Sequence, residues 1–355
     1  MKGTVSFHPV DVAFFDETIA PLVAGGKIDP ERFVADAIGV RKTHWQVRRF
    51  SRAIEALRAA AEPPGPGAGA GLWEKTKAYL ERFDWRPDDL TRRVLDRVDP
   101  DLHLAGRPFL ITEISTPKVV ETVDRYRAAS VPRAAEAIAK EQLARLDPDL
   151  ARDLAPEDGL DLSADLLHRS DLLAALTRIH ELAAAARADR AWGDGDAAGK
   201  PAREVLRDEL PWRALYLHAR VVPFWIARDV DGLETVARVA RVPAPEMMVP
   251  AWRLFAAACD EFAELKSTLH LEVKGSRDVG AFVAPDDVPK LLDFLNVHGA
   301  RIIQAAAREG EGQACATLLR KIRECAAYAE RHGLGYIEAS GLVPPDLDDA
   351  EPASA

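Results

Sequence analysis

Cysteine is scarce in this chain: among 355 residues there are three, Cys259, Cys315 and Cys325, with no CxxC pair. That excludes a disulfide framework and a zinc knuckle, which both need closely spaced cysteine sets. No apolar run reaches the roughly 20 residues a bilayer-spanning helix requires. Positive charge is in deficit: 47 lysines and arginines face 57 aspartates and glutamates, a formal net charge of -10. An acidic surface is repelled by nucleic acid and by anionic membrane, so neither is an expected partner. Phosphate-cradling signatures are missing too, since there is no GxxxxGK[ST] loop and the GAGAG at 67–71 follows no strand. Neither a GxSxG elbow nor an HExxH helix occurs. His270-Leu271-Glu272 has the H-x-E spacing of a zinc deaminase but lacks the PCxxC partner. Met1–Asp11 contains no apolar stretch of signal-peptide length, and the expectation is a reduced, cytoplasmic protein.

What is present is an ordinary globular composition, 48% hydrophobic and 29% charged, on a chain long enough for two lobes. Thr4–His8 alternates and reads as a strand, after which Pro9 opens a helix that ends at Gly25-Gly26. Asp29 caps a second helix that starts at Pro30, and the pair completes an N-terminal segment of strand and helices over 1–61. Residues 62–71 (EPPGPGAGAG) form a linker. A helical lobe follows over 72–188, including a helix capped by Ser163 whose stripe is Leu172, Leu176, Ile179 and Ala183. A flexible loop is predicted over 189–200, then a second lobe over 201–341 and a disordered, acidic tail over 342–355. Pro211–Ile226 suits either a strand or short helices broken at Pro223, and helices are favoured. The last helix has the clearest stripe, Cys315, Leu318, Ile322, Cys325 and Ala329. The resulting fold class is α+β, predominantly helical, with a small mixed or antiparallel sheet built from hairpins in both halves and covered by helices.

Two segments share one plan. Leu102–Pro117 and Leu269–Pro285 each run from Leu-His-Leu through a glycine turn to an apolar strand and a proline-started helix. A pseudo-symmetric duplication is one reading, because one hairpin with one helix buries too little apolar surface alone; the other is that Leu-His-Leu and hairpin-helix units are common and recur without a shared origin. Residues 280–295, GAFVAPDDVPKLLDFL, are similar to segments of small bacterial proteins, some toxin-immunity proteins among them. The likeness covers those residues only, reflects a strand, a turn and a helix, and identifies no family.

Histidine placement supplies the candidate chemistry. His8, His103 and His270 all sit on predicted strands, and alternation puts each on the face opposite its apolar neighbours. Glu272 shares the face of His270, Glu113 lies on the neighbouring strand, and Asp11 follows His8 by one turn. Were these strands adjacent, three imidazoles with Glu272 or Asp11 could hold a divalent metal such as zinc, iron or manganese. The plainer reading is a set of histidines that are solvated or hydrogen-bonded to a covering helix. His298 and His332 each precede a glycine and read as helix ends, and His218 has no assignable partner. A basic run, Arg41, Lys42, Arg48, Arg49, Arg52 and Arg58, reads as a solvated helix face. Trp192 lies in a glycine- and aspartate-rich stretch, where a bulky ring must pack back or meet a partner. With no catalytic constellation legible, the leading expectation is a non-enzymatic binding protein with a protein partner, accessory to a bacterial system. The alternative is a metal-dependent hydrolase using His8, His103, His270, Glu272 and Asp11.

Overall fold

The computed structural model describes residues 5–38, 71, 98–99, 110–111, 116–128, 134, 137–138, 141, 144, 162–221, 227–267, 271–273, 277–340 and 342. The chain divides into two units, one drawn from residues 1–42, 101–105 and 159–355, the other from 43–100 and 106–158. It is a predominantly helical α+β protein with a small antiparallel sheet. No described helix is long and apolar enough to cross a membrane.

In the first unit, β1 (Val5–Val10) is buried along its whole length. It leads into α1, which has an α-helical turn Val12–Phe14, a π-helical turn Phe15–Ile19 and a further α-helical turn Ala20–Val23. Pro9 does not start that helix. It lies within β1 opposite Tyr336, while Asp11 caps α1 by accepting the Ala13 N–H at 3.1 Å. A proline cannot donate to a ladder, and here it sits two residues beyond Phe7, where the pairing with β4 ends. α1 stops as expected at Gly25, whose φ of +84° suits glycine at a helix end. Asp29 then accepts the Glu31 and Arg32 N–H groups and caps α2, described over 30–38.

The second unit contributes a small ladder in its own right, β2 (Val98–Asp99) paired with β3 (Leu110–Ile111), and α3 (Thr116–Ala128), which begins at the expected Thr-Pro step. An exposed bidentate pair joins Arg125 to Glu141. Leu102–Leu104, the first arm of the predicted hairpin, lies outside the described residues, as do the linker 62–70, the basic run from Arg41 and His44. Leu269 and His270 do so as well, and with them the match between the two predicted hairpins.

Back in the first unit, α4 (Leu162–Arg187) packs against α5 (Ala202–Val221). Ser163 falls inside α4 rather than capping it. Its predicted stripe, Leu172, Leu176, Ile179 and Ala183, is buried. The connection expected to be a flexible loop folds back on itself instead. Trp192 exchanges backbone hydrogen bonds with Lys200 and Gly199, both 2.7 Å, and its ring is 8% exposed. The ring's apolar area supplies the reason, since it joins the same core as α4 and α5. α5 runs unbroken through Pro211, although proline forfeits one helical hydrogen bond; burial of Leu206, Leu210, Ala214, Leu215 and Leu217 outweighs that loss.

After β4 (Ala227–Asp229) and α6 (Leu233–Val239), short helical turns carry the chain to β5 (Val279–Val283). Leu271–Val273, expected as a strand, is not one. The strand that pairs with β5 is β6 (Gly335–Ser340), a segment the sequence reading passes over. Between them lie α7 (Val288–Ala307), opened by Pro285–Asp287 as predicted, and α8 (Gly312–Arg331), whose five-residue stripe is buried throughout. His298 is not at a helix end; it lies within α7 and packs on Phe294. His332 does end α8, with Gly333 at φ +63°. The four-stranded sheet has the order β4-β1-β6-β5, all antiparallel. Leu342, just past β6, is buried in the core.

Candidate functional site

Side chains alternate along a strand, and paired residues of an antiparallel ladder share a face. Ser6, His8, Val10, Ile337 and Ala339 therefore point one way, into the core formed with α1, α4 and α5. Val5, Phe7, Tyr336 and Glu338 point the other way, under α8.

On the first face His8 is 1% exposed and its Nε2 lies 2.6 Å from Ser6 Oγ. Ser6 also donates to the Ala339 carbonyl at 3.0 Å. A hydroxyl has one proton to give, so the proton between Ser6 and His8 belongs to the imidazole. That orientation is the reverse of a serine nucleophile held by a histidine base. His218, on α5, accepts the Asp11 N–H through Nε2 at 3.0 Å and so carries its proton on Nδ1. Its ring stacks on Phe15 and meets the edge of Phe14. Burial, aided by the neighbouring His218, lowers the His8 pKa to about 3, and the ring stays neutral in the folded protein.

On the second face the Glu338 Oε1 accepts from the Leu233 N–H at 3.0 Å and from the Tyr336 hydroxyl at 2.9 Å. Burial lifts this carboxyl to about 7 against those two bonds, and Glu234 adds to the rise. Burial likewise pushes the Tyr336 hydroxyl and the Cys325 thiol well above their ordinary values. Gly232 is required here: a Cβ at that position would stand 2.1 Å from Glu338 Oε2. Glu272 ion-pairs with Arg238 and lines a cavity of about 30 Å³ beside Glu338.

The predicted metal ligands are thus placed as follows. His8 is sealed on one face with Ser6 and His218, Asp11 caps α1, and Glu272 stands beside Glu338 on the other face. His103, His270 and Glu113 lie outside the described residues. Among the described residues no group of three or more His, Cys, Asp or Glu side chains is arranged to hold a metal ion. Sequence reasoning left His218 without a partner and missed Glu338, because the Asp11 and Leu233 amides that they accept from are more than 100 residues away in the chain.

A groove of about 770 Å³, open to a ligand, lies along α4 and α5. That size is in the range of small-molecule and peptide sites. One wall is α5, where Trp212 stacks on Tyr216 with ring centroids 5.4 Å apart. Trp212 is anchored by its Nε1–H, which donates to the Ser340 carbonyl of β6 at 3.0 Å. The Arg277 guanidinium rests 5.1 Å from the Trp212 ring, and that of Arg220 rests 4.2 Å from the Tyr216 ring, so the aromatic pair is enclosed by two cations. The other wall is α4, where Arg178 grips Glu209 through two hydrogen bonds and reaches Asp194 with a third, its plane over Trp192 at 4.6 Å. Arg213 donates to Glu209 as well, at 2.6 Å. Burial alone would raise the Glu209 carboxyl, but the bonds from Arg178 and Arg213 prevail and hold it below its usual range. Against family models, curated proteins and solved structures the chain finds no match.

Proposed function

We propose that this protein is a binding protein, without catalytic chemistry of its own, that engages a protein partner through the α4–α5 groove. One observation carries the reading. The groove presents tryptophan, tyrosine and arginine together, with Trp212 and Tyr216 pre-stacked and Arg178 and Arg213 pre-positioned by Glu209. These residue types dominate the binding energy of protein interfaces, because they offer large contact area for little loss of side-chain freedom. Their immobilisation before binding lowers the ordering cost further. The hydrolase alternative depends on His103 and His270 approaching His8, whose Nε2 is already engaged by Ser6.

Panning a displayed random-peptide library on the intact chain tests the reading. Enriched peptides are expected to bind the wild type and to lose about tenfold or more in affinity with Tyr216→Ala, which corresponds to roughly 1.4 kcal/mol. Tyr216 is half-buried, so thermal melting of the variant accompanies the titration. A library that yields no binder, or binders indifferent to a folded Tyr216→Ala, removes the groove as an interface.

A further inference from the structure

The charges lining the groove are equal in number, three acids and three arginines, but they are unevenly paired. Arg178 and Arg213 are committed to Glu209 and Asp194. Asp171 and Glu181, both exposed on α4, line the same groove and have no ion pair among the described residues. Ten positions separate them, about 15 Å along a helix axis. Ala174 and Arg178 fall between them on one helical stripe, so the two acids mark points at opposite ends of one wall. Across from them, the outer face of Trp212 already holds a guanidinium, that of the exposed Arg277, which makes no ion pair among the described residues. Cations thus have a seat prepared on the aromatic wall and counter-charges waiting on the helical one, in a protein whose overall charge of -10 draws basic partners.

We infer that the α4–α5 groove takes an extended, arginine-bearing basic segment of a partner protein. One partner guanidinium replaces Arg277 over Trp212, and flanking cations meet Asp171 and Glu181. Arginine fits better than lysine because its planar group stacks on a ring while keeping its donors free at the edge. An extended chain covers about 15 Å in four to five residues, which sets the spacing of the flanking cations. This rests on the groove being the interface, and it adds the chemistry of the partner.

The test is fluorescence anisotropy of the full chain with three labelled Gly/Ser peptides, carrying arginine, lysine or glutamate at every fourth residue. At about 50 mM salt the arginine peptide is expected to bind at least threefold tighter than the lysine peptide and the glutamate peptide to bind not at all, with affinity falling as salt screens the acids. Asp171→Asn with Glu181→Gln should weaken the arginine peptide about fivefold, as two surface charge pairs warrant. Both positions are exposed, so these variants keep the fold. Arg277→Ala should tighten binding about two- to threefold, because it clears the Trp212 face of a competing cation. A merely electrostatic surface would respond to both variants but would bind the arginine and lysine peptides equally well. An arginine peptide that stays unbound at about 1 mM overturns the inference, as does one that ignores the Asp171/Glu181 variant or is weakened by Arg277→Ala. If the glutamate peptide binds instead and Tyr216→Ala releases it, the groove stands as the interface and the basic partner falls. If library and peptides all fail, both readings fall together.

Discussion

The two faces of the sheet bury ionisable groups in opposite ways. Under α1 and α5, His8 is kept neutral by being denied a proton, its pKa lowered to about 3. Under α8, Glu338 is kept neutral by retaining one, its pKa raised to about 7. The same cause acts in both cases, since burial disfavours whichever form is charged. What differs is the direction in which pH presses on each face. Below its ordinary pKa of 6.5 the unfolded chain protonates His8 and the folded chain does not, so this face contributes fully above pH 6.5 and loses its contribution as pH falls towards 3. Above 4.5 the unfolded chain releases the Glu338 proton and the folded chain keeps it, so that face contributes fully below pH 4.5 and loses its contribution as pH rises through 7. Between roughly pH 4.5 and 6.5 the two slopes oppose each other, and the sheet as a whole is buffered there.

Breaking the first face should have the largest effect. His8→Gln keeps a donor for Ser6 but removes the titration, and about 5 kcal/mol of acid sensitivity between pH 6.5 and 3 should disappear from urea-unfolding curves. An acid limb unchanged in the variant would mean that His8 takes a proton without unfolding. Removing the titration of the second face comes next. Glu338→Gln preserves an acceptor for Leu233 and Tyr336, and the stability lost by the wild type between pH 4.5 and 7, about 3 kcal/mol, should be retained in the variant. Equal alkaline limbs in the two proteins would show that the carboxyl ionises without cost. Gly232→Ala forces an atom against Glu338 Oε2 and should destabilise by about 2 kcal/mol, with the alkaline limb altered and the acid limb intact. Smallest is Ser6→Ala, which leaves His8 Nε2 without its neighbour and should cost about 1 kcal/mol at neutral pH. Calorimetry at pH 7.5 would register it as a lowered melting temperature, and no change would make the 2.6 Å contact energetically idle.

Several signals that act within a few residues were legible, although the Ser163 cap and the His298-Gly299 end were not realised. The Asp29 cap, the Gly25 stop, the Thr116-Pro117 and Pro285 starts and the buried stripe of α8 all follow from spacing and backbone preference. Pro9 was misleading, whereas the helix favoured from Pro211 onwards is present and passes through that residue. Each breaks a local rule that burial overrides, Pro9 by lying where β4 no longer pairs and Pro211 by lying on a helix held by its apolar face. The strand β6 was missed because six residues without a turn signal say nothing of a partner more than 300 positions away. The site was less legible than the fold. Trp212 and Tyr216 fall in the stretch 211–226 read as helix, yet nothing in their spacing shows that they stack, or that Arg277 covers the one and Arg220 the other.

By itself the sequence determined the helical class of this protein, the starts of α3 and α7, the end of α8 and the acidic balance of the chain, because these depend on composition, period and nearest neighbours. Only the tertiary structure decided which strands pair, which side of the sheet each ionisable group occupies and where aromatic rings meet guanidinium groups. Those are properties of contacts between distant segments, and a contact between distant segments is settled by the surface that both can bury together.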